Sequence, residues 1–202
     1  MDIGIVDMWA YVVASLLLII SPGPGTLNIL GWSIRSRRSG MMALAGTSVG
    51  DATLMTLAAL GVAALLKSYP IAFELVKYAG AGYLVWLGIQ AWLARGGEVV
   101  AVPPTDGHAF RRGLTVTLSN PKAIVFFMAF FPQFVTPEAG VPAFVVLGAS
   151  FLTMNCVYQL VLIHSAASIG RRLSSTPRFG TTLNRLVGTV FVAFGIRLAI
   201  GN

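Results

Sequence analysis

The sequence predicts an all-α integral membrane protein: six transmembrane helices arranged as two inverted three-helix repeats, with helices one and four broken. Three observations lead there. Apolar residues make up 56% of the 202 positions and charged residues only 10%, with a mean hydropathy of +0.80, a balance outside the range of water-soluble domains of this size. The apolar residues fall into six uncharged or nearly uncharged runs, close to the roughly 20 residues that a helix needs to cross the hydrocarbon core. Two of these runs carry a matched interruption, Ser21-Pro22-Gly23-Pro24-Gly25 in the first and Ser119-Asn120-Pro121-Lys122 in the fourth. Paired Pro-interrupted segments in two halves of a chain are the sequence mark of a membrane protein built from inverted repeats, with its binding site at the interruptions.

The six spans run from Met8 to Leu30, Met41 to Leu66, Ile71 to Leu93, Leu114 to Val135, Val141 to Ile169 and Leu183 to Ile200. Their apolar runs are continuous and do not alternate, which favours helices over barrel strands. The first span has an acidic flank, excessive length and an internal break, so it is expected to remain in the mature chain as a span and not to be cleaved as a signal peptide. The third is shortened by Glu74 and Lys77. In the sixth, Arg185 and Arg197 leave a short clean centre and reach for opposite headgroup regions. Pro132-Gln133 is expected to end the fourth helix. The whole of 1–202 is one transmembrane domain, with repeat one at about 8–93, a polar, turn-rich linker at about 94–113 and repeat two at about 114–202.

Charge placement orients the chain. The formal net charge is +7, but the basic residues sit in short connections: Arg35, Arg37 and Arg38 after span one, Arg95, Arg111 and Arg112 after span three, and Arg171, Arg172 and Arg178 after span five. Those loops are expected to be cytoplasmic, which places both termini on the periplasmic side of a bacterial inner membrane. The excess charge is therefore read as orienting the protein and attracting anionic lipid, at about 1 kcal/mol per residue, with no nucleic-acid partner.

The breaks have a direct electrostatic consequence. Pro22 stops one half-helix, with Gly23 and Gly25 permitting the turn, and Pro24 opens the next in the first turn, where its missing N–H costs nothing. The new half-helix then presents free N–H groups and a positive dipole end at membrane depth, suited to a carboxylate. Asn120 and Pro121 repeat the device as N-cap and first helical residue. Lys122 adds a positive charge there, unfavourable to the dipole unless an anion is present. Either break alone reads as an ordinary kink; two at related positions, with an ionisable residue beside one, favour a binding site.

Asp51 and Lys122 are the ionisable residues nearest the centres of their spans, where a charge costs at least about 2.5 kcal/mol. They either pair with each other and lock the halves, or serve transfer across the membrane: Asp51 carrying a proton or receiving an ammonium, Lys122 steadying a carboxylate or the break. Asn155 occupies the place in the second half that Asp51 holds in the first. Gly46 with Gly50, and more loosely Gly80 with Gly82, read as close-packing faces. Phe126, Phe127, Phe130, Phe131 and Phe134 are expected on several faces of the fourth span, some against lipid. His164 reads as a packing residue and Cys156 as a buried, inert thiol.

Other chemistries lack their residues. One cysteine excludes a dithiol carrier. Asp51 and His164 alone do not make a metal pathway, so neither a metal site nor a cofactor is expected. His164-Ser165 point to different helix faces and no Gly-x-Ser-x-Gly elbow occurs, which disfavours an enzyme. A structural or lipid-scrambling membrane protein stays open, as do export of another small solute or cation and assembly into a homo-oligomer.

With these residues in place the chain resembles the LysE/RhtB family of amino-acid exporters of bacterial inner membranes. The likeness runs over nearly the whole sequence: Ser21-Pro22-Gly23-Pro24, Gly46-Thr47-Ser48-Val49-Gly50-Asp51, Gly80-Ala81-Gly82-Tyr83-Leu84 with Leu87-Gly88, Phe110-Arg111-Arg112-Gly113, Asn120-Pro121-Lys122 and Phe130-Phe131-Pro132-Gln133-Phe134. It implies six spans and efflux of amino acids or close derivatives by proton exchange. Asp51 is the one clear carboxylate in the apolar interior, so a neutral amino acid is favoured as substrate over a dibasic one.

Overall fold

The computed structural model describes residues 4–20, 23–68, 70–93, 108–136 and 139–175, together with nine residues between 185 and 200 of the last segment. Ser21 and Pro22 of the first break, residues 94–107 of the linker and most of the sixth span lie outside the described residues.

The described chain is helical. In order come α1 (Met8–Ile20), α2 (Pro24–Arg35), α3 (Arg37–Ser68), α4 (Pro70–Leu93), α5 (Ala109–Leu118), α6 (Pro121–Val125) and α7 (Val141–Ser175). The axes of α1 and α2 differ by 51°, the bend expected where proline and glycine interrupt an apolar run. Arg37–Gly61 of α3 and Val141–Ala166 of α7 are each long and apolar enough to cross a bilayer, and α1 with α2 makes a third candidate if counted as one bent span.

The fourth apolar run departs from a simple kinked span. It begins at Ala109, so Arg111 and Arg112 are helical, and after α6 the helix first widens and then tightens. Residues Phe126–Phe130 form a π turn and Phe131–Phe134 a 3-10 turn that contains Pro132. Phe126, Phe127, Phe131 and Phe134 are all buried, so four of the five phenylalanines of this run face the protein interior. Phe127 stacks edge-on to Phe151 of α7 at 5.0 Å, and Phe134 edge-on to Tyr11 of α1 at 5.2 Å, a geometry that suits the ring quadrupole. The side chain of Phe130 is outside the described set.

Close backbone contact joins α3 to α5. A Cβ added to Gly46 would run into the carbonyl of Phe110, one on Gly50 into Thr117, and one on Gly113 into the carbonyl of Ala43. Glycine at these three positions lets the two helices approach without intervening side chains. Gly82, expected to serve likewise in α4, faces open space. The tight positions of α4 are instead Gly88, against Gly188, and Ala81, whose carbonyl faces Gly195. Trp92 fixes the same pairing by donating its indole N–H to the carbonyl of Arg185 at 2.9 Å.

The N-terminal residues clasp the end of the fourth segment. Ile5 and Val135 form an isolated antiparallel bridge, with Val6 N–H donating to Phe134 O at 3.0 Å and Thr136 N–H to Gly4 O at 2.9 Å. Gly4 has a φ of +81° and sits against Ala139, where a side chain would be both strained and crowded. Asp7 then caps α1 through Ala10 N–H, and Tyr11, fully buried, donates its hydroxyl to Leu147 O of α7 at 2.6 Å.

Candidate functional site

The two breaks meet at one cavity. Its volume is about 70 Å3, and its lining draws on α1 (Leu18, Ile19), the start of α2 (Gly23, Gly25, Thr26), α3 (Thr47, Asp51), α5 (Thr117), the second break (Asn120, Lys122, Ala123), the π turn (Phe127) and α7 (Phe151, Asn155, Gln159).

The second break adopts the cap anticipated for it. Asn120 lies outside helical geometry, its Oδ1 accepts from Lys122 N–H at 3.1 Å, and Pro121 opens α6. In the first break Gly23 is extended and, being glycine, offers no side-chain cap, and Pro24 begins α2. The N–H groups of Gly25 and Thr26 in the first turn therefore have neither an intrahelical acceptor nor a cap from Gly23. Gly25 and Thr26 of that turn line the cavity, so the positive end of the α2 dipole is directed there.

Across the break, α1 ends on orphan carbonyls. Lys122 donates its ammonium to Leu18 O at 3.2 Å, and the Tyr158 hydroxyl lies 3.5 Å from Ile20 O. A cation at a helix C-terminus is favourable to the dipole. Lys122 thus tethers the second broken segment to the negative dipole end of the first, through the partial charge of a backbone carbonyl.

Asp51 of α3 and Asn155 of α7 touch. Asn155 Nδ2 donates to Asp51 Oδ2 at 2.9 Å, with both residues buried. Gln159, one turn on from Asn155, donates at longer range to Asn155 Oδ1 (3.4 Å) and Thr26 Oγ1 (3.3 Å). A polar thread therefore runs from Asp51 on α3 through α7 to the start of α2. Of the residues singled out from the sequence, Gly23, Gly25, Asp51, Asn120, Lys122 and Asn155 line the cavity; Pro24 and Pro121 shape the helix starts beside it, and Ser21 and Pro22 lie outside the described residues.

Sequence reasoning missed Thr26, Thr47, Thr117 and Gln159. A usable signal existed in the helical period: Thr47 precedes Asp51 by four residues, and Gln159 follows Asn155 by four, so each shares a face with a residue already suspected. Thr47, Thr117 and Gln159 are at most 5% exposed, and Thr47 Oγ1, Thr117 Oγ1 and Gln159 Oε1 have no hydrogen-bond partner among the described residues. Buried polar groups left this way cost about 1–3 kcal/mol each, and three in the lining of one cavity mark a place where polar atoms await a ligand. Opposite them the wall is apolar: Leu18, Ile19, Ala123, Phe127 and Phe151. No group of three or more His, Cys, Asp or Glu suited to a metal occurs among the described residues.

This geometry agrees with what the chain is similar to. The pattern of the LysE type translocator family matches residues 16–202. The leucine efflux protein of Salmonella typhimurium (strain LT2) is 35% identical over 98% of this chain and 97% of its own length. That of Klebsiella pneumoniae is 37% identical with the same coverage. An uncharacterized membrane protein of Pseudomonas aeruginosa is 39% identical over 98% of this chain and 96% of its own. No solved structure matches. The chain is a membrane transporter, not an enzyme, and belongs to the LysE type translocator family.

Proposed function

We propose that this protein exports neutral aliphatic amino acids, leucine foremost, across the bacterial inner membrane in exchange for protons, through six helices arranged as two inverted repeats with both termini periplasmic. The observation that carries the proposal is the cavity shared by the two breaks, with uncapped helix N-terminus, buried carboxylate and apolar wall within one small volume. The substrate carboxylate sits at the first turn of α2, where backbone N–H groups and the dipole favour a negative charge. Its ammonium faces Asp51 and the oxygens of Thr47, Thr117 and Gln159, and its side chain lies along Phe127, Phe151 and Ile19. Asp51 is the sole carboxylate in the lining, so it serves either the ammonium or a proton, an alternation that couples the two flows. The names of the relatives support leucine as the substrate, and a lining with one carboxylate has nothing to neutralise the second ammonium of lysine.

The test is efflux from liposomes containing the purified protein and loaded with labelled leucine, valine, lysine, arginine or glutamate, under an imposed pH gradient. Leucine should leave fastest, and a protonophore should abolish its uphill movement. Preference for lysine or arginine would overturn the substrate assignment. Movement of lipid with no amino acid would overturn the transport assignment.

A further inference from the structure

A second cavity of about 370 Å3 lies away from the breaks, where the last turn of α2 meets the first turns of α3 and α5. Arg35 enters it from α2, Arg38 and Ser39 from α3, and His108 and Arg111 from the start of α5. None of the described residues lining it is Asp or Glu. Guanidinium groups gathered from three helices around one concavity raise the local positive potential and concentrate anions there.

Two further features point the same way. His108, the N-cap of α5, makes no side-chain cap hydrogen bond, so the first-turn N–H groups and positive dipole end of this ten-residue helix meet the same space. Trp32 forms part of the wall at 4% exposure, and its indole N–H has no acceptor among the described residues.

The location also selects the kind of anion. The stretch of α3 that is long and apolar enough to cross a bilayer starts at Arg37, so the cavity lies at one end of a candidate span, the place where a span meets headgroups. Met42 lines the cavity and is half exposed, as is its neighbour Met41, so an apolar surface leads outward from the cationic one. The volume admits roughly 25 water-sized groups at about 15 Å3 each, far beyond a lone phosphate and in keeping with a glycerophosphate head.

We propose that this cavity binds the phosphate of an anionic phospholipid headgroup, clamped by Arg38 and Arg111 with Arg35 beside them. Arginine suits the task because its planar fork offers paired donors to phosphate oxygens. Because α2 follows the first break and α5 precedes the second, one headgroup here joins the two broken segments at their outer ends and so bears on how they move.

The experiment uses the full chain in phosphatidylcholine nanodiscs carrying a small fraction of photoreactive phosphatidylglycerol. Two matched variants remove equal charge from adjacent positions: R38Q/R111Q inside the cavity, and R37Q/R112Q, whose residues do not line it. Labelling should fall about tenfold or more in the first, as expected for loss of two charge-assisted contacts, and less than twofold in the second. Equal loss in both would reduce the effect to general surface charge and overturn the proposal. Should R38Q/R111Q fail to insert, the unaltered protein decides: labelling that survives 0.5 M salt, where surface attraction is screened, supports a seated headgroup, and labelling that vanishes overturns it. Displacement of the lipid by inorganic phosphate at constant ionic strength would assign the cavity to a soluble phosphate and overturn the lipid assignment.

Discussion

Replacing Thr117 by valine should make the protein more stable and a worse transporter, a combination that few other models of this site anticipate. Thr117 is 2% exposed, its hydroxyl has no partner among the described residues, and its Cβ and Cγ2 pack closely against Gly50 of α3. Valine keeps the branched shape that this contact requires and removes only the unsatisfied oxygen. Relief of that burial is worth about 1–3 kcal/mol, which for a chain of this size raises the midpoint of thermal unfolding by about 2–12 °C. Transport should suffer in the opposite sense. A hydroxyl that bonds the charged ammonium of the substrate contributes about 1.5–3 kcal/mol, so its loss weakens apparent leucine affinity by about 10- to 100-fold. The assays are thermal unfolding in detergent, followed by intrinsic tryptophan emission, and leucine efflux from liposomes as a function of internal concentration. A fall in stability would mean that the hydroxyl is already satisfied, and unchanged efflux would mean that it does not meet substrate; either result refutes the reasoning.

Asp51→Asn should abolish leucine export driven by a pH gradient while leaving membrane insertion intact, because the amide keeps the buried shape beside Asn155 but neither holds nor releases a proton; export at the unaltered rate would remove Asp51 from the mechanism. Lys122→Met should loosen the joint between the breaks by about 1.5–3 kcal/mol, the worth of a charged hydrogen bond to the Leu18 carbonyl, seen as faster amide exchange in the last turn of α1; identical exchange would show the tether to be idle. Gly46→Leu places a side chain against the Phe110 backbone, where overpacking costs about 1–3 kcal/mol or more, so yield and thermal midpoint should both fall, whereas Gly82→Leu, facing open space, should change neither.

What could be read from the residues follows from how each signals. Proline and glycine constrain the backbone directly, so both breaks, the Asn120 cap and the start of α2 at Pro24 were visible without coordinates. Asp51 stood out because a charge in an apolar run has few inexpensive explanations, and its match to Asn155 followed from the two-half pattern. Thr47 and Gln159 signal only through their four-residue spacing from Asp51 and Asn155, and Thr117 not at all, since a hydroxyl or amide in a membrane helix normally satisfies itself locally; only the tertiary arrangement leaves their oxygens without partners among the described residues. The π and 3-10 turns after α6 were likewise hidden. Phe126 to Phe134 read as a nearly uniform apolar run, and nothing in it marks where the helix widens and then tightens. Lys122 reads as needing a negative partner, and the one it meets at the end of α1 is the Leu18 carbonyl, which no side-chain pattern encodes.

The central claim is that an amino acid is held in the cavity between the two breaks. Photo-leucine, whose side chain carries a diazirine, tests it most directly when irradiated with the full chain in liposomes and the adducts are mapped by mass spectrometry. Adducts should fall on Leu18, Ile19, Phe127 and Phe151 and disappear with excess leucine. Adducts confined to outward-facing positions such as Leu57, Leu60 or Val161, or unaffected by leucine, would contradict the account.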